Sequence, residues 1–170
     1  VNIAAPQVVD FDLSATACYD GSNNATITIT VNGGNGDYTF SLDGGAAMTP
    51  DPLTPLTYTF SGLANGSYSI EVTDAFGCSD TDTIDILPNL TATVTVDDVS
   101  SCADGSITVS AASGGAGSFV YAFLTTGTTV QDSDFGPSNS ITINNTQVGD
   151  YDVYVRDNSG TSPYCQFMQA

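Results

Sequence analysis

The sequence predicts an all-β protein made of two similar β-sandwich domains. Thr, Val, Ile, Tyr and Ser are abundant, whereas Lys and His are absent and Glu71 is the single Glu, so good helix formers are scarce. Seventeen Gly, with many Asp and Asn, supply turns. A segment of alternating apolar residues also recurs 83 positions along the chain. Each half is about the size of an immunoglobulin-type sandwich.

The repeat is clearest in two segments, 63–78 and 148–165. In both, a Gly stands two residues before a Tyr, the following apolar residues alternate, and an Asp, a Gly and a Cys come next. Period-two alternation that ends at an Asp/Gly turn is typical of a half-buried strand running into a hairpin. Tyr68 and Tyr151 stand where a tyrosine corner, in which the hydroxyl bonds to upstream backbone, is expected.

The remaining strands follow in order along both halves. In the first half, apolar alternation predicts strands at 8–17, 25–31, 38–42, 56–63 and 79–87, with Pro6 marking a joint because it lacks the N–H that a ladder needs. The second half repeats this order, with strands predicted after Cys102, at 119–124 and at 140–143. Asp20, Asp74, Asp104 and Asp157 are predicted to be structural turn residues.

The four cysteines form two pairs of similar spacing. Cys18 and Cys78 are 60 positions apart, and Cys102 and Cys165 are 63 apart. Four cysteines allow three connectivities, and one disulfide per repeat is the one that respects the repeat. Such bonds would indicate an oxidising, extracellular compartment. A zinc site is the rival interpretation, but the chain has no His and no close Cys-x-x-Cys pair.

The charge excludes several classes of function. The net charge is −18 with Arg156 as the single basic residue, so binding to nucleic acid through phosphate neutralisation is excluded. The sequence contains no run of 18 or more apolar residues, so it predicts no membrane-spanning helix. Without His or Lys, a Ser-His-Asp or Cys-His catalytic arrangement cannot be built, and we expect no enzymatic activity.

These motifs carry a family resemblance. Cys18, Asp20-Gly-Ser, a strand, Gly33-Gly-Asn-Gly, Tyr38-Thr-Phe-Ser-Leu, Leu63-Ala-Asn-Gly-Ser-Tyr and Val72-Thr-Asp-Ala-Phe-Gly-Cys occur in succession. This order resembles the SprB-type repeats of Bacteroidetes surface adhesins over most of residues 18–87. The second half departs from the pattern where residues 156–165 lengthen the last turn. The resemblance implies secreted, tandem, immunoglobulin-like modules of cell-surface proteins and no catalytic residues.

The two halves differ at their ends. Residues 79–88 supply an alternating last strand in the first half, whereas only Gln-Phe-Met-Gln-Ala follows Cys165. Val1-Asn2-Ile3-Ala4-Ala5, followed by Pro6, resembles Ile84-Asp-Ile-Leu-Pro88. We therefore predict a donated strand at 1–7, a first immunoglobulin-like domain at 8–88, and a second at 89–170 that lacks its last strand.

This mismatch predicts a homo-oligomer. If Val1–Ala5 complete the second domain of another copy, the contact is heterologous, does not close, and generates a head-to-tail filament. The alternative function is an adhesin module that binds glycan or a surface within one long tandem-repeat polypeptide. The two functions make different predictions about the chain. The filament predicts that the chain starts near Val1 and ends near Ala170, whereas the adhesin module predicts that it is a fragment.

Further candidate sites are carboxylates and sequons. The one candidate cofactor is calcium, for which Asp97 and Asp98 near the domain junction are the predicted ligands. The alternative is that both are solvated turn carboxylates. Asn24, Asn65, Asn89 and Asn144 fit the N-linked glycosylation pattern, and Thr83 fits the O-linked pattern of the bacterial group that the family resemblance suggests.

Overall fold

The computed structural model describes residues 7–100, 102–159 and 164–170. The chain divides into two compact units, Val1–Ile86 and Leu87–Ala170, with a boundary two residues before the predicted one. The described residues form twelve β-strands and one short 3-10 turn, Asp132–Asp134. This confirms the predicted all-β class.

Unit 1 consists of two three-stranded antiparallel sheets. One sheet has the order β1-β2-β4 and the other β3-β5-β6. The strands are β1 Asp10–Ala15, β2 Ala25–Gly33, β3 Thr39–Leu42, β4 Thr57–Leu63, β5 Gly66–Thr73 and β6 Ser79–Ile86. The strands alternate buried and exposed residues because each sheet has one face toward the core and one toward water.

The core of unit 1 lies between its two sheets. Ile27 and Ile29 of β2 are fully buried with Phe40 of β3 and Ile70 of β5. Ile86, at the end of β6, is 1% exposed in the same cluster. The last strand therefore fills part of the core and does more than cover an edge.

Unit 2 repeats this topology. Its sheets have the orders β10-β8-β7 and β12-β11-β9, so each strand has a counterpart six places earlier in the chain. The strands are β7 Thr91–Asp97, β8 Gly105–Ser113, β9 Phe119–Thr125, β10 Ser140–Ile143, β11 Tyr151–Asp157 and β12 Gln166–Gln169. Its buried residues include Val109, Ala122 and Val155.

Both predicted tyrosine corners are present. The hydroxyl of Tyr68 donates a hydrogen bond to the carbonyl of Ala64 over 3.0 Å, and that of Tyr151 donates to the carbonyl of Gln147 over 2.8 Å. In each unit the Tyr lies near the start of the central strand of its sheet, and its hydroxyl bonds to the carbonyl four residues earlier. The repeat is thus preserved in hydrogen bonds as well as in strand order.

Each unit has a leading end, where its first strand begins, and a trailing end, where that strand finishes. In unit 1 the leading end holds Asp10 paired with Gly33, and the trailing end holds Ala25 paired with Leu63. Cys78 follows the turn at the leading end, where Ala75 N–H donates to the carbonyl of Gly36. Cys18 lies just past Thr16, which bonds to Thr26 at the trailing end.

The predicted disulfide pairing is wrong. Cys78 has a free, exposed thiol, whereas Cys18 and Cys165 are disulfide-bonded. Cys102 is exposed and is not the disulfide partner of Cys165. The reason is geometric: the eight residues of β5 separate the two ends of unit 1 by about 23 Å at 3.3 Å per residue. A disulfide requires Cα atoms within about 7 Å.

The same separation applies in unit 2. Cys102 precedes β8 at the trailing end, where Gly105 pairs with Ile143. Cys165 lies at the leading end, beside Gly115, which follows the far end of β8. Despite their similar spacing along the sequence, the members of each predicted pair lie at opposite ends of their sandwich.

Candidate functional site

The last strand is shorter in unit 2 than in unit 1. In unit 1, β6 pairs with all of β5, from Thr73↔Ser79 to Gly66↔Ile86. In unit 2, β12 pairs with β11 from Arg156↔Gln166 only as far as Val153↔Gln169. The tyrosine corners align Val153 with Ile70, so unit 2 has no described counterpart of the unit 1 segment Ile84–Ile86.

Two cavities lie where that segment would run. Their volumes are about 620 Å³ and 420 Å³. Both are lined by Val96 of β7, Ile107 of β8, and Gly149 and Tyr151 at the start of β11. We call the two cavities, which share these four lining residues, the strand groove. In unit 1 the four pairs without a counterpart in unit 2, from Ser69↔Thr83 to Gly66↔Ile86, span about 13 Å of extended chain.

The strand groove is apolar along its floor and partly open to solvent. Ile107 and Ile143 are buried at 6% and 7% exposure, whereas Val96 and Val148 on its rim are 63% and 68% exposed. The position of Gly149 corresponds to Gly66, which pairs with the buried Ile86 in unit 1. The groove therefore presents the surface that an apolar last strand covers in unit 1.

The two predicted calcium ligands lie at one end of this groove. Asp97 and Asp98 line the larger cavity, and Asp97 accepts a hydrogen bond from Ser106. The residues that the structure describes contain no group of three or more His, Cys, Asp or Glu that could hold a metal ion. Both aspartates are exposed, as solvated turn residues would be.

A buried carboxylate organises the leading end of each unit. Asp74 accepts hydrogen bonds from the backbone N–H groups of Phe76 and Cys78 through Oδ1, and from the side chain and backbone of Asn35 through Oδ2. The hydrogen bond from the Asn35 side chain, with those from the Cys78 and Phe76 backbone, holds the pKa of Asp74 below its ordinary value, against the effect of desolvation.

Asp157 has the same role in unit 2. It is 1% exposed and accepts hydrogen bonds from the backbone N–H groups of Ala116 and Cys165. Its own N–H donates to the carbonyl of Cys165, as that of Asp74 donates to Cys78. Cys78 and Cys165 therefore occupy equivalent positions. The predicted structural role of both turn carboxylates is confirmed.

The predicted Asp-Gly turns differ from one another. Asp20 accepts hydrogen bonds from the side chain and backbone of Ser22, which lower the pKa of Asp20, and Gly21 has a φ of +92°. Gly105 is needed for another reason: a Cβ there would lie 2.4 Å from the carbonyl oxygen of Asp97. The second Gly thus permits the close approach of β7 to β8.

The single basic residue is held in a cluster that the sequence did not predict. The guanidinium carbon of Arg156 lies 4.0 Å from the ring centroid of Phe135 and 4.1 Å from that of Tyr164. The same guanidinium forms a salt bridge with Asp132, and the side chain of Arg156 is 12% exposed. A lone arginine between distant aromatic residues has no spacing signal, so only the fold reveals this cluster.

The predicted glycosylation residues are all exposed but are not brought together. Their positions are Asn24, Asn65, Asn89, Asn144 and, in β6, Thr83. The side chain of Asn24 donates to Asp20, and that of Asn144 accepts from Thr146. Glycosylation requires an exposed side chain, and its occurrence at these positions stays a prediction. Val1–Ala5, predicted to be the joining strand, lie outside the described residues, as does Pro6.

Within the residues that the structure describes, no helix is long and apolar enough to cross a bilayer.

Comparison with solved structures supports the fold. The C-terminal 282-residue fragment of intimin, solved in complex with the intimin-binding domain of the translocated intimin receptor, aligns with a TM-score of 0.56 and 15% identity. The alignment covers 98% of this chain and 64% of that fragment, so the chain spans less than two thirds of it. At this identity the match shows the fold alone, which is the predicted immunoglobulin-like one.

A second structure, Dpr11 IG1 bound to DIP-gamma IG+IG2, aligns with a TM-score of 0.37 and 12% identity over 94% of this chain and 96% of that one. No curated protein sequence matches the chain.

One family model matches the sequence directly. Its description is SprB repeat, and it covers residues 17–47, from the end of β1 to the loop after β3. This stretch contains Cys18, the Asp20-Gly turn and the Gly33-Gly-Asn-Gly loop on which the resemblance was based. The match lies in the first unit, within the part of the sequence that carries the predicted resemblance to SprB-type repeats.

Proposed function

We propose that this chain is an extracellular, non-enzymatic structural protein whose copies join head to tail. The N-terminal strand Val1–Ala5 of one copy fills the strand groove in unit 2 of the next copy. The main support for this proposal is the pair of cavities in unit 2. They lie at the position that corresponds to Ile84–Ile86 in unit 1, where the last strand packs against the core. The SprB repeat and the immunoglobulin-like fold support an adhesin-like surface protein as the setting.

The sequence of the N-terminal segment fits this role. Val1 and Ile3 alternate with Asn2, as Ile84 and Ile86 alternate with Asp85. In unit 1 the two isoleucines face the core cluster, and Asp85 is exposed. A strand with the same pattern would place Val1 and Ile3 on the groove floor while its backbone pairs with the free edge of β11.

The course of β12 supports one direction for the donated strand. The missing segment continues β12 past Val153↔Gln169 toward Gly149, at the trailing end of unit 2. A donated strand in that position runs antiparallel to β11, with Val1 innermost and Pro6 emerging at the trailing end. The leading end of the donor's unit 1 therefore meets the trailing end of the acceptor's unit 2.

Two complementary variants test the joint. Deletion of Val1–Ala5 removes the donor and keeps the acceptor, whereas Val96→Asp places a charge on the exposed rim of the groove and keeps the donor. Electron microscopy of the parent chain should show filaments, and each variant alone should give monomers. An equimolar mixture should give heterodimers by sedimentation, because one joint is intact and the contact cannot propagate.

A pair of point variants separates packing from charge. Ile3→Asp should abolish assembly, because burying an Ile side chain contributes about 1.5–3 kcal/mol that a carboxylate forfeits. Asn2→Asp adds the same charge on the face predicted to point outward and should assemble. Monomers in the parent sample would overturn the proposal. The remaining candidate for the occupant of the groove would then be a segment that follows Ala170 in a longer polypeptide.

One observation favours the alternative of a surface-binding module. The loop between β3 and β4 exposes Met48 at 43%, Leu53 at 90% and Leu56 at 51%. It also borders a cavity of about 280 Å³ lined by Pro50, Pro52 and Pro55. If the parent chain stays monomeric, glycan or surface binding that is lost in a Leu53→Asp variant would support this alternative.

A further inference from the structure

Two large apolar residues are exposed at the leading end of unit 1. Val8 and Phe76 are each 79% exposed. The backbone N–H of Phe76 donates a hydrogen bond to Asp74, so the buried carboxylate that orders this turn also holds the aromatic residue at the surface. Single exposed apolar residues are common in folded proteins and by themselves indicate no function. These two, however, differ from their counterparts in unit 2.

Val8 corresponds in position to Asn89 of unit 2. A Cβ on Gly33 would clash with the carbonyl oxygen of Val8, and one on Gly114 would clash with that of Asn89. Gly33 and Gly114 begin the matching Gly-Gly-x-Gly loops of the two units. The exposed valine at the leading end of unit 1 is therefore replaced in unit 2 by an exposed, polar asparagine.

Phe76 corresponds in the same way to Ser159. Asp74 and Asp157 are the equivalent buried carboxylates, and Phe76 and Ser159 each come two residues later. Ser159 is exposed, and its hydroxyl donates a hydrogen bond to Asp157. Both positions at the leading end are thus apolar in unit 1 and polar in unit 2.

The trailing ends show the opposite difference. Val96 and Val148 of unit 2 are 63% and 68% exposed. Val96 corresponds to Ala15, because the two residues pair with equivalent isoleucines of β8 and β2. Val148 corresponds to Asn65, since each stands immediately before the Gly that precedes a corner tyrosine by two positions. Two large apolar residues at the trailing end of unit 2 therefore replace a small residue and a polar residue in unit 1.

The two apolar ends are those that the proposed joint brings together. The trailing end of unit 1 continues through residues 87–90 into the leading end of unit 2, and these two ends have the small or polar residues. The leading end of unit 1 and the trailing end of unit 2 have the large apolar ones. A stable interface involves about 20–30 residues on each side, whereas Val1–Ala5 supply five. Most of the contact area must therefore come from outside the donated strand.

We propose that Val8 and Phe76 form an apolar docking surface for a second copy of this chain, where they pack against Val96 and Val148 at the trailing end of that copy's unit 2. The inference rests on the head-to-tail joint proposed above and names the surfaces that meet beside the donated strand. Contact between them removes exposed apolar side chains of both copies from water, which is favourable in proportion to the area buried.

The test uses the dimer with one joint, formed from the Val1–Ala5 deletion and the Val96→Asp variant. The Val96→Asp copy donates its strand and presents Phe76, whereas the deletion copy accepts the strand and presents Val148. Phe76→Ser in the donor copy should raise the dissociation constant, measured by sedimentation, at least about tenfold, because the burial of a Phe side chain is lost. Val148→Asn in the acceptor copy should also raise the dissociation constant.

The same substitutions in the opposite copies are the matched controls. Phe76→Ser in the acceptor copy and Val148→Asn in the donor copy fall at ends that face solvent in this dimer, so the dissociation constant should not change. Each replacement is the residue that the other unit has at the equivalent position, and each replaced side chain is exposed, so folding should be unaffected. An equal loss of affinity from either copy would reflect a general effect on folding and would overturn the docking surface.

The outcomes separate the two proposals. If the dimer forms and Phe76→Ser in the donor copy leaves its affinity unchanged, the docking surface is wrong while strand donation stands. If the Val1–Ala5 deletion assembles as the parent does and Phe76→Ser prevents assembly, strand donation is wrong while the docking surface stands. Monomers in the parent sample would overturn both, and a flanking unit of a longer polypeptide would then be the remaining candidate for the partner.

Discussion

The hydroxyl of Tyr151 donates a hydrogen bond of 2.8 Å to the backbone carbonyl of Gln147, across the turn that leads into β11. Val148 and Gly149, which line the strand groove, lie inside this turn. The bond therefore fixes the backbone at the open edge where we propose that another strand pairs. Tyr68 makes the equivalent bond in unit 1, where the edge is already covered by β6.

Replacing either corner tyrosine should cost similar stability. Tyr151→Phe and Tyr68→Phe each remove one hydroxyl bond, so each should lower the free energy of unfolding by about 1 kcal/mol. Urea unfolding followed by circular dichroism measures this. If the turn at Tyr151 also shapes the groove, Tyr151→Phe should weaken assembly while Tyr68→Phe leaves it unchanged. Equal effects of both variants on assembly would contradict that role.

Replacing Asp157 should lower the free energy of unfolding more than replacing an exposed aspartate does. Asp157→Ala leaves the N–H groups of Ala116 and Cys165 without their acceptor in a buried turn, which should cost about 1–3 kcal/mol of unfolding free energy. Asp104, which is exposed, provides the control, and Asp104→Ala should change the unfolding free energy by less than about 0.5 kcal/mol. Indistinguishable denaturation curves would contradict a structural role for the Asp157 carboxylate.

The lowered pKa of Asp74 predicts a loss of stability in acid. Because the folded pKa lies below the ordinary value of 3.8, the ionised form is favoured by folding. Its contribution is complete above that ordinary value and is lost as the pH falls through the folded pKa. Asp74→Asn should therefore flatten the decline of stability below about pH 4. The midpoint of urea unfolding, measured from pH 5 to pH 2, tests this, and parallel declines would contradict it.

The arginine cluster should distinguish Arg from Lys. Arg156 stacks on Phe135 and Tyr164, so Arg156→Lys keeps the charge but loses the planar contact and should cost about 1 kcal/mol. Asp132 is 82% exposed, and Asp132→Ala should cost less, below about 1 kcal/mol. Thermal unfolding of both variants measures the difference. A larger loss in Asp132→Ala would show that the ion pair matters more than the stacking.

Salt should strengthen the proposed assembly. Each copy carries a net charge of −18, so copies that meet end to end repel one another. Because the screening length shortens from about 30 Å at 0.01 M salt to about 10 Å at 0.1 M, filament formation should be faster at the higher concentration. Light scattering during assembly measures the rate. Slower assembly in salt would indicate attraction between charged groups at the joint.

Much of the fold could be predicted from the sequence, because period-two alternation and turn residues report local structure. The strand order, the tyrosine corners at Tyr68 and Tyr151, and the turn roles of Asp74 and Asp157 all follow from such local signals. The few residues after Cys165 led to the prediction that the second domain lacks its last strand, whereas the structure has a short one, β12 Gln166–Gln169, paired with part of β11.

The disulfides could not be predicted, because spacing along a chain does not say at which end of a sandwich a residue lies. Cys18 and Cys78 are separated by the length of β5, a fact that requires the pairing of the strands. The Arg156 cluster was missed for a related reason, since Asp132, Phe135 and Tyr164 reach it from outside β11. Contacts between residues near in sequence could therefore be predicted, whereas contacts between residues on different strands and loops required the structure.

The packing of Arg156 has a consequence for proteolysis. The chain contains no lysine and a single arginine, so proteases of trypsin-like specificity have one bond to cut, that between Arg156 and Asp157. Both residues lie in β11, which is hydrogen-bonded on both sides by β9 and β12, and Asp157 is 1% exposed. Cleavage requires an extended, accessible segment, which this strand does not offer while folded. The folded protein is therefore expected to persist among secreted trypsin-like enzymes that would degrade an ordinary lysine-rich surface.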